Sequence, residues 1–82
     1  MIKVTVRFFA IARDLARTEQ ASLTIPADST ANSALETIVT QYPMLKEWKA
    51  HLRLAVNYDY AQSERVLRDE DELAVLPPFS GG

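Results

Sequence analysis

Ala31, Ala34, Leu35, Ile38, Val39 and Tyr42 recur at spacings of three and four residues, and this stripe constrains the fold more than any other feature of the chain. Such spacing puts all six on one side of a helix spanning residues 30–42. A helix with a single apolar side must bury it against a second layer. The flanking segments supply that layer. Residues 2–9 alternate, with Ile2, Val4, Val6 and Phe8 on one face and Lys3, Thr5 and Arg7 on the other, as a half-buried strand does. Residues 21–25 form a second strand with Leu23 and Ile25 on one side and Pro26 stopping it.

The remaining elements follow from local chemistry. Asp28-Ser29-Thr30 is a cluster of good N-caps ahead of the main helix. Pro43 ends that helix and opens a short one whose apolar side holds Met44, Leu45, Trp48 and Leu52. Residues 10–17 favour another short helix, with Ile11 and Leu15 inward. Leu54, Val56 and Tyr58 alternate as a third strand, and residues 63–67 suit a brief edge strand. Asp69-Glu70-Asp71 makes a polar turn before a last strand over residues 72–76, which Pro77-Pro78 must end. One main helix with several short strands describes an α+β roll.

The chain has 82 residues, enough for one small domain. Nine Lys and Arg against eleven Asp and Glu give a net charge of -2, which argues against nucleic acid as a partner. The absence of cysteine excludes disulfides, thiolate metal sites and cysteine nucleophiles. The alternation at the start of the chain is unlike a signal peptide, and no apolar run approaches the roughly 20 residues of a membrane span. The expected location is the cytoplasm, away from any membrane.

The glycines carry the functional information. There are two, Gly81 and Gly82, where average usage would give about six. None serves a turn, although glycine alone tolerates positive φ cheaply. Pro77-Pro78 stiffens the exit from the last strand and projects Phe79-Ser80-Gly81-Gly82 from the domain. Six residues from Pro77 onward reach about 20 Å when extended. The sequence therefore divides into a domain over residues 1–76 and a flexible tail over residues 77–82. A stiff base, an apolar anchor and a tip without side chains suit a narrow channel in another protein. An α-carboxyl is ionised and unreactive at neutral pH. It becomes an acyl donor once a partner makes an acyl-adenylate from ATP. A sulfur donor would then leave a thiocarboxylate, and a lysine amine would leave an isopeptide. The tail alone does not choose between them.

The sequence resembles the family of small, sulfur-carrying subunits of molybdopterin synthase. The resemblance spans the chain, through the opening Met-Ile-Lys-Val, Phe8-Phe9-Ala10 with Arg13 before Leu15, and Ala55-Val56-Asn57. It is strongest over Asp71-Glu72-Leu73-Ala74-Val75-Leu76-Pro77-Pro78-Phe79-Ser80-Gly81-Gly82. A bare Gly-Gly end is shared with thiamine-pathway carriers, ubiquitin-related modifiers and ubiquitin. The resemblance implies a ubiquitin-like β-grasp fold, with a mixed sheet and one main helix packed on a face. It implies that Gly82 is adenylated by an enzyme like those that activate ubiquitin, and then loaded by a sulfur-donor enzyme. The large synthase subunit, in a heterotetramer, would take in the tail and pass the sulfur to cyclic pyranopterin monophosphate. Gly82 would carry sulfur, Gly81 and Ser80 would thread, Phe79 would anchor, and Pro77 and Pro78 would set the exit. No cofactor is bound in this scheme, and ATP is consumed by the activating partner. Carriers for thiamine or tRNA thiolation, or protein modifiers, are the alternative. Two residues depart from the pattern: Glu70, where the family commonly has glycine, and Phe79, where valine is commoner.

Other candidates read as structural. His51 is the sole histidine and has no triad or metal spacing around it, so it reads as a surface residue. Asp69-Glu70-Asp71-Glu72 lacks the ligand spacing and glycine of a calcium loop and reads as a solvated turn. Trp48 reads as core. No metal site and no self-sufficient catalytic set is expected.

Overall fold

A computed structural model of the chain describes residues 1–77. The expectations for Pro78, Phe79, Ser80, Gly81 and Gly82 lie outside those residues.

The alternation at the start of the chain becomes strand β1 (Ile2–Phe8), with Val4, Val6 and Phe8 buried. A short helix α1 (Ile11–Ala16) leads back to β2 (Gln20–Ile25), which pairs antiparallel with β1. The main helix α2 (Ala31–Gln41) follows, then a 3-10 segment (Pro43–His51). The chain ends in β3 (Arg53–Val56), β4 (Asp59–Tyr60) and β5 (Glu72–Leu76). The five strands lie in the order β2-β1-β5-β3-β4. The β1–β5 pair is parallel and the others antiparallel, so the sheet is mixed. Ala31, Ala34, Ile38 and Val39 of α2 are buried in one core with the inward residues of the sheet, with Leu35 and Tyr42 packed at its margin. This is the β-grasp arrangement.

The helix starts where capping chemistry places it. Thr30 Oγ1 accepts from Ser33 N at 3.2 Å, and Ser33 Oγ accepts from Thr30 N at 2.9 Å. This is a capping box with serine in the role usually held by glutamate. Two further helix-start amides find distant carbonyls: Ala31 N donates to Arg65 O at 2.8 Å and Asn32 N to Ser63 O at 3.0 Å. At the other end Tyr42 meets Phe8 edge-on, with ring centroids 5.1 Å apart.

Four expectations are corrected. In α1 the inward residues are Ala12 and Ala16, with Leu15 partly buried and Ile11 36% exposed. Ala10 adopts φ 52° and ψ -129°, and Ala12 N donates back to Phe9 O at 3.0 Å. That tight reversal sets the helix phase so that two methyls, four residues apart, face the sheet. Met44 is 65% exposed because Pro43–His51 winds as a 3-10 helix. Residues three apart then share a side, so buried Leu45 aligns with Trp48 and Met44 turns outward. Tyr58 does not continue β3. Asn57 (φ 50°) and Tyr58 (φ 75°) form the two-residue turn of the β3–β4 hairpin, leaving Tyr58 86% exposed. Residues 63–67 form no strand; only a Thr30–Val66 bridge occurs. Their carbonyls serve the start of α2 instead, and Leu67 N donates to Ser29 O at 2.8 Å.

With no glycine within the described residues, non-glycine residues take the left-handed positions. They are Ala10, Arg17, Asp28, Asn57, Tyr58 and Glu70. Asn57 and Asp28 tolerate that region well. Glu70, at φ 70°, keeps the turn that glycine would make most cheaply. It is held there because its N–H donates to Lys3 O at 2.7 Å while Lys3 N donates to Asp69 Oδ1 at 2.8 Å.

Two measurements check this account. Ile38→Ala should destabilise the domain by roughly 2–5 kcal/mol in denaturant unfolding, as a buried truncation. A loss below about 0.5 kcal/mol would place Ile38 outside the core. Glu70→Gly should raise stability by roughly 0.5 kcal/mol, because left-handed strain of about 1–2 kcal/mol exceeds the entropic penalty of glycine. A clear loss of stability would mean that the Glu70 side chain contributes more than its backbone strain removes.

Candidate functional site

The sequence places the chemistry in residues 77–82, and of these only Pro77 lies within the described residues. Pro77 is partly buried and directly follows β5. The candidate site is therefore the exit from β5, and its geometry is set by the strands on either side.

β5 is paired along both edges. Against β1 the register is Thr5↔Glu72, Val6↔Leu73, Arg7↔Ala74 and Phe8↔Val75. Against β3 it is Val56↔Leu73, Ala55↔Ala74, Leu54↔Val75 and Arg53↔Leu76. Leu73 and Val75 point inward and are fully buried. Phe9 N donates to Val75 O at 3.2 Å, and Leu76 lies beside Arg53 at the exit.

The root of β5 is held by a side-chain cluster. Asp71 Oδ1 accepts from Asn57 Nδ2 at 2.9 Å, and Asp71 Oδ2 accepts from Arg68 N at 2.8 Å. Its carbonyl accepts from Thr5 N at 3.0 Å. Asn57 completes the clasp: its Oδ1 accepts from Glu72 N at 3.0 Å, and its N donates to Glu72 O at 2.8 Å. The acidic turn expected to be merely solvated is thus a joint, with two of its carboxylates bonded to backbone. The sequence signal was present but easily missed. Asn57 occupies a hairpin turn where its side chain and its tolerance of positive φ both count, and Asp71 follows Arg68 by three residues, the span of a side-chain-to-backbone turn.

On the outer face of the sheet, Arg7, Ala74, Ala55 and Tyr60 lie in one cross-strand row. The two alanines leave this row low at its centre, next to a Tyr60 that is 72% exposed. Arg7 Nε meets Glu72 Oε2 at 3.0 Å. Both side chains are substantially exposed, so the pair contributes at most about 1 kcal/mol. His51 is exposed at the end of the 3-10 segment, and Trp48 packs at the core margin. Among the described residues no three His, Cys, Asp or Glu side chains converge as metal ligands would. Among them, too, no helix is long and apolar enough to cross a membrane. What the arrangement can do is hold the chain in the middle of the sheet up to Pro77.

Comparison with known proteins gives this arrangement its relatives. The sequence model of the ThiS family matches residues 6–82. A molybdopterin synthase sulfur carrier subunit of Arabidopsis thaliana is 35% identical over 81 residues, covering 99% of this chain and 84% of that protein. In structure, SAMP1 of Haloferax volcanii superposes with a TM-score of 0.87 at 25% identity, over 98% of this chain and 99% of that one. A chain from the complex of subunits 1 and 2 of molybdopterin-converting factor from Helicobacter pylori gives a TM-score of 0.70 at 28% identity, over 99% of this chain and 100% of that one. A family match over nearly the whole length, on a sheet and helix of the same architecture, establishes that this chain belongs to the ThiS family.

Proposed function

We propose that this chain is the sulfur-carrying small subunit of a molybdopterin synthase, acting through residues 77–82 as a tail. The observation that carries the reading is the end-to-end similarity to proteins named molybdopterin synthase sulfur carrier subunit. The placement of β5 supports it: a strand held on both edges gives whatever follows Pro77 a fixed point of departure.

The chemistry is as follows. A carboxylate oxygen of Gly82 attacks the α-phosphorus of ATP on an adenylyltransferase of the ubiquitin-activating type, and pyrophosphate leaves. Hydrogen sulfide supplied by a donor enzyme then attacks the acyl carbon through its sulfur, loses its protons to the medium, and AMP leaves with its oxygen. The product is a terminal thiocarboxylate. The large subunit takes in the tail, with Phe79 as anchor, Pro77 and Pro78 at the mouth, and Ser80 and Gly81 in the channel. The sulfur attacks a carbon of the pyranopterin and displaces an oxygen substituent there, and water at the acyl carbon then cleaves the acyl carbon–sulfur bond and restores the carboxylate. This chain supplies no catalytic side chain and holds no cofactor. The subunit complex named for the Helicobacter pylori relative supports a large-subunit partner. We place the reaction in the cytoplasm.

Intact mass after incubation with ATP, the activating enzyme and a sulfur donor should show one oxygen replaced by one sulfur. Deleting Gly82, or adding one residue beyond it, should abolish that change while the folded spectrum of residues 1–77 persists. Normal loading in either variant would remove Gly82 from the mechanism. Loading followed by transfer only to a thiazole or a tRNA base would replace the pyranopterin as acceptor.

A further inference from the structure

Strand β2 lies at one end of the sheet, and among the described residues no strand covers its outer edge. Phe8 N donates to Glu19 O at 2.9 Å, and the antiparallel register runs unbroken from Arg7↔Gln20 to Ile2↔Ile25. Antiparallel alternation then turns the N–H and C=O groups of residues 19, 21, 23 and 25 toward β1. Those of Gln20, Ser22 and Thr24 face away from the sheet, and among the described residues no strand pairs with them. The usual protections of an exposed edge are charged side chains, proline and bulges. Gln20-Ala21-Ser22-Leu23-Thr24-Ile25 contains none of these.

Protection comes from one hydroxyl instead. Thr18 Oγ1 donates to Gln20 O at 3.0 Å and accepts from Gln20 N at 3.4 Å. A single side chain thus engages both outward groups of Gln20. At the opposite end Pro26 has no N–H to offer.

We propose that Thr18 is an edge guard that keeps this chain from pairing through β2 with a second copy of itself. A second copy is the occupant because the edge is self-complementary. With Thr18 in place only Ser22 and Thr24 are open. A two-fold axis through Leu23 then pairs Ser22 of each copy with Thr24 of the other, and two bonded pairs give four hydrogen bonds. Without the Thr18 hydroxyl, Gln20 opens and the axis moves to Ser22. Gln20 then faces Thr24 of the second copy on both sides and Ser22 faces Ser22, and three bonded pairs give six hydrogen bonds.

In that longer register the opposed outer side chains are all neutral hydrogen-bonding groups, and Ala21 meets Leu23 on the inner side. No like charges oppose one another within the paired strands. The guarded edge offers four bonds and the unguarded edge six over the same strand, so the guard shifts the balance toward the monomer. The guard has no part in the sulfur chemistry, and its test is independent of that reading.

The test compares the full chain with Thr18→Val, and with Thr18→Val combined with Ser22→Lys, by sedimentation and by amide exchange. Thr18→Val should self-associate at least about tenfold more tightly than the parent chain. The amides of Gln20, Ser22 and Thr24 should gain protection as concentration rises. Ser22→Lys, which sets two ammonium groups against each other across the axis, should reverse both effects. Thr18→Ser retains the hydroxyl and should behave as the parent, which separates loss of the guard from loss of folding. Thr18→Ala is the second unguarded variant and should match Thr18→Val. A folded Thr18→Val that remains monomeric at high concentration would overturn the proposal. So would an association indifferent to Ser22→Lys, or one whose protected amides lie away from β2.

Discussion

Everything in this domain depends on the pairing of β5, the last strand in the chain and the middle strand of the sheet. β5 meets β1 in parallel and β3 antiparallel, so it joins the N-terminal hairpin to the C-terminal one. Without it the sheet falls into two pieces, and two-stranded pieces are marginal in water. Its inward residues Leu73 and Val75 complete a core built from β1, β3 and α2. The domain therefore closes only when residues near the end of the chain find residues near its start. Such contacts are dear in loop entropy and slow to form. The Asn57–Asp71 clasp answers this difficulty locally: it binds the root of β5 to the hairpin beside it and fixes where the strand begins.

The scarcity of glycine shapes the loops in the same way. Turns at positive φ are needed wherever the fold reverses sharply, and here every one within the described residues is made by a residue with a Cβ. The strain is offset by specific backbone bonds. Arg17 closes α1 by donating to Arg13 O at 2.8 Å, and Glu70 is pinned to Lys3. Ala10, with the least common geometry, sits between Phe9, whose N–H donates to Val75 O of β5, and a helix whose second amide, Ala12 N, returns to Phe9 O. These loops are defined by hydrogen bonding more than by intrinsic preference.

This explains which parts of the structure were legible in the sequence. The α2 stripe, the alternation of β1 and the span Glu72–Leu76 are set by hydrophobic period, and period survives the journey from sequence to structure. The faces of the two short helices did not survive it. Ile11 looks like a core residue by hydrophobicity, but the phase of α1 is set by the Ala10 reversal, which no period reports. Met44 was misplaced because a 3-10 turn holds three residues and not 3.6. Residues 63–67 have strand-like composition, yet their carbonyls are engaged at the start of α2, a partner thirty residues earlier in the chain. At the candidate site, the sequence pointed to the end of β5 and to its proline. The joint that steadies the strand left only local signs at Asn57 and Asp71, because the two act on each other across a separation of fourteen residues.

On the proposed function the chain works through a terminal segment, which requires chemistry and stability to be kept apart. No polar or charged residue is buried among the described residues, so the body of the domain rests on apolar packing and backbone pairing. Pro77 joins that body directly through β5. A pull along the axis of β5 would load the hydrogen bonds on both of its edges together and not one after another, because they lie across that axis. At the far end Asp71 and Asn57 resist sliding with side-chain bonds that a simple strand lacks. A segment leaving from an edge strand would strain one ladder and peel it. A segment that leaves from a central strand is backed by two ladders, and β5 is such a strand.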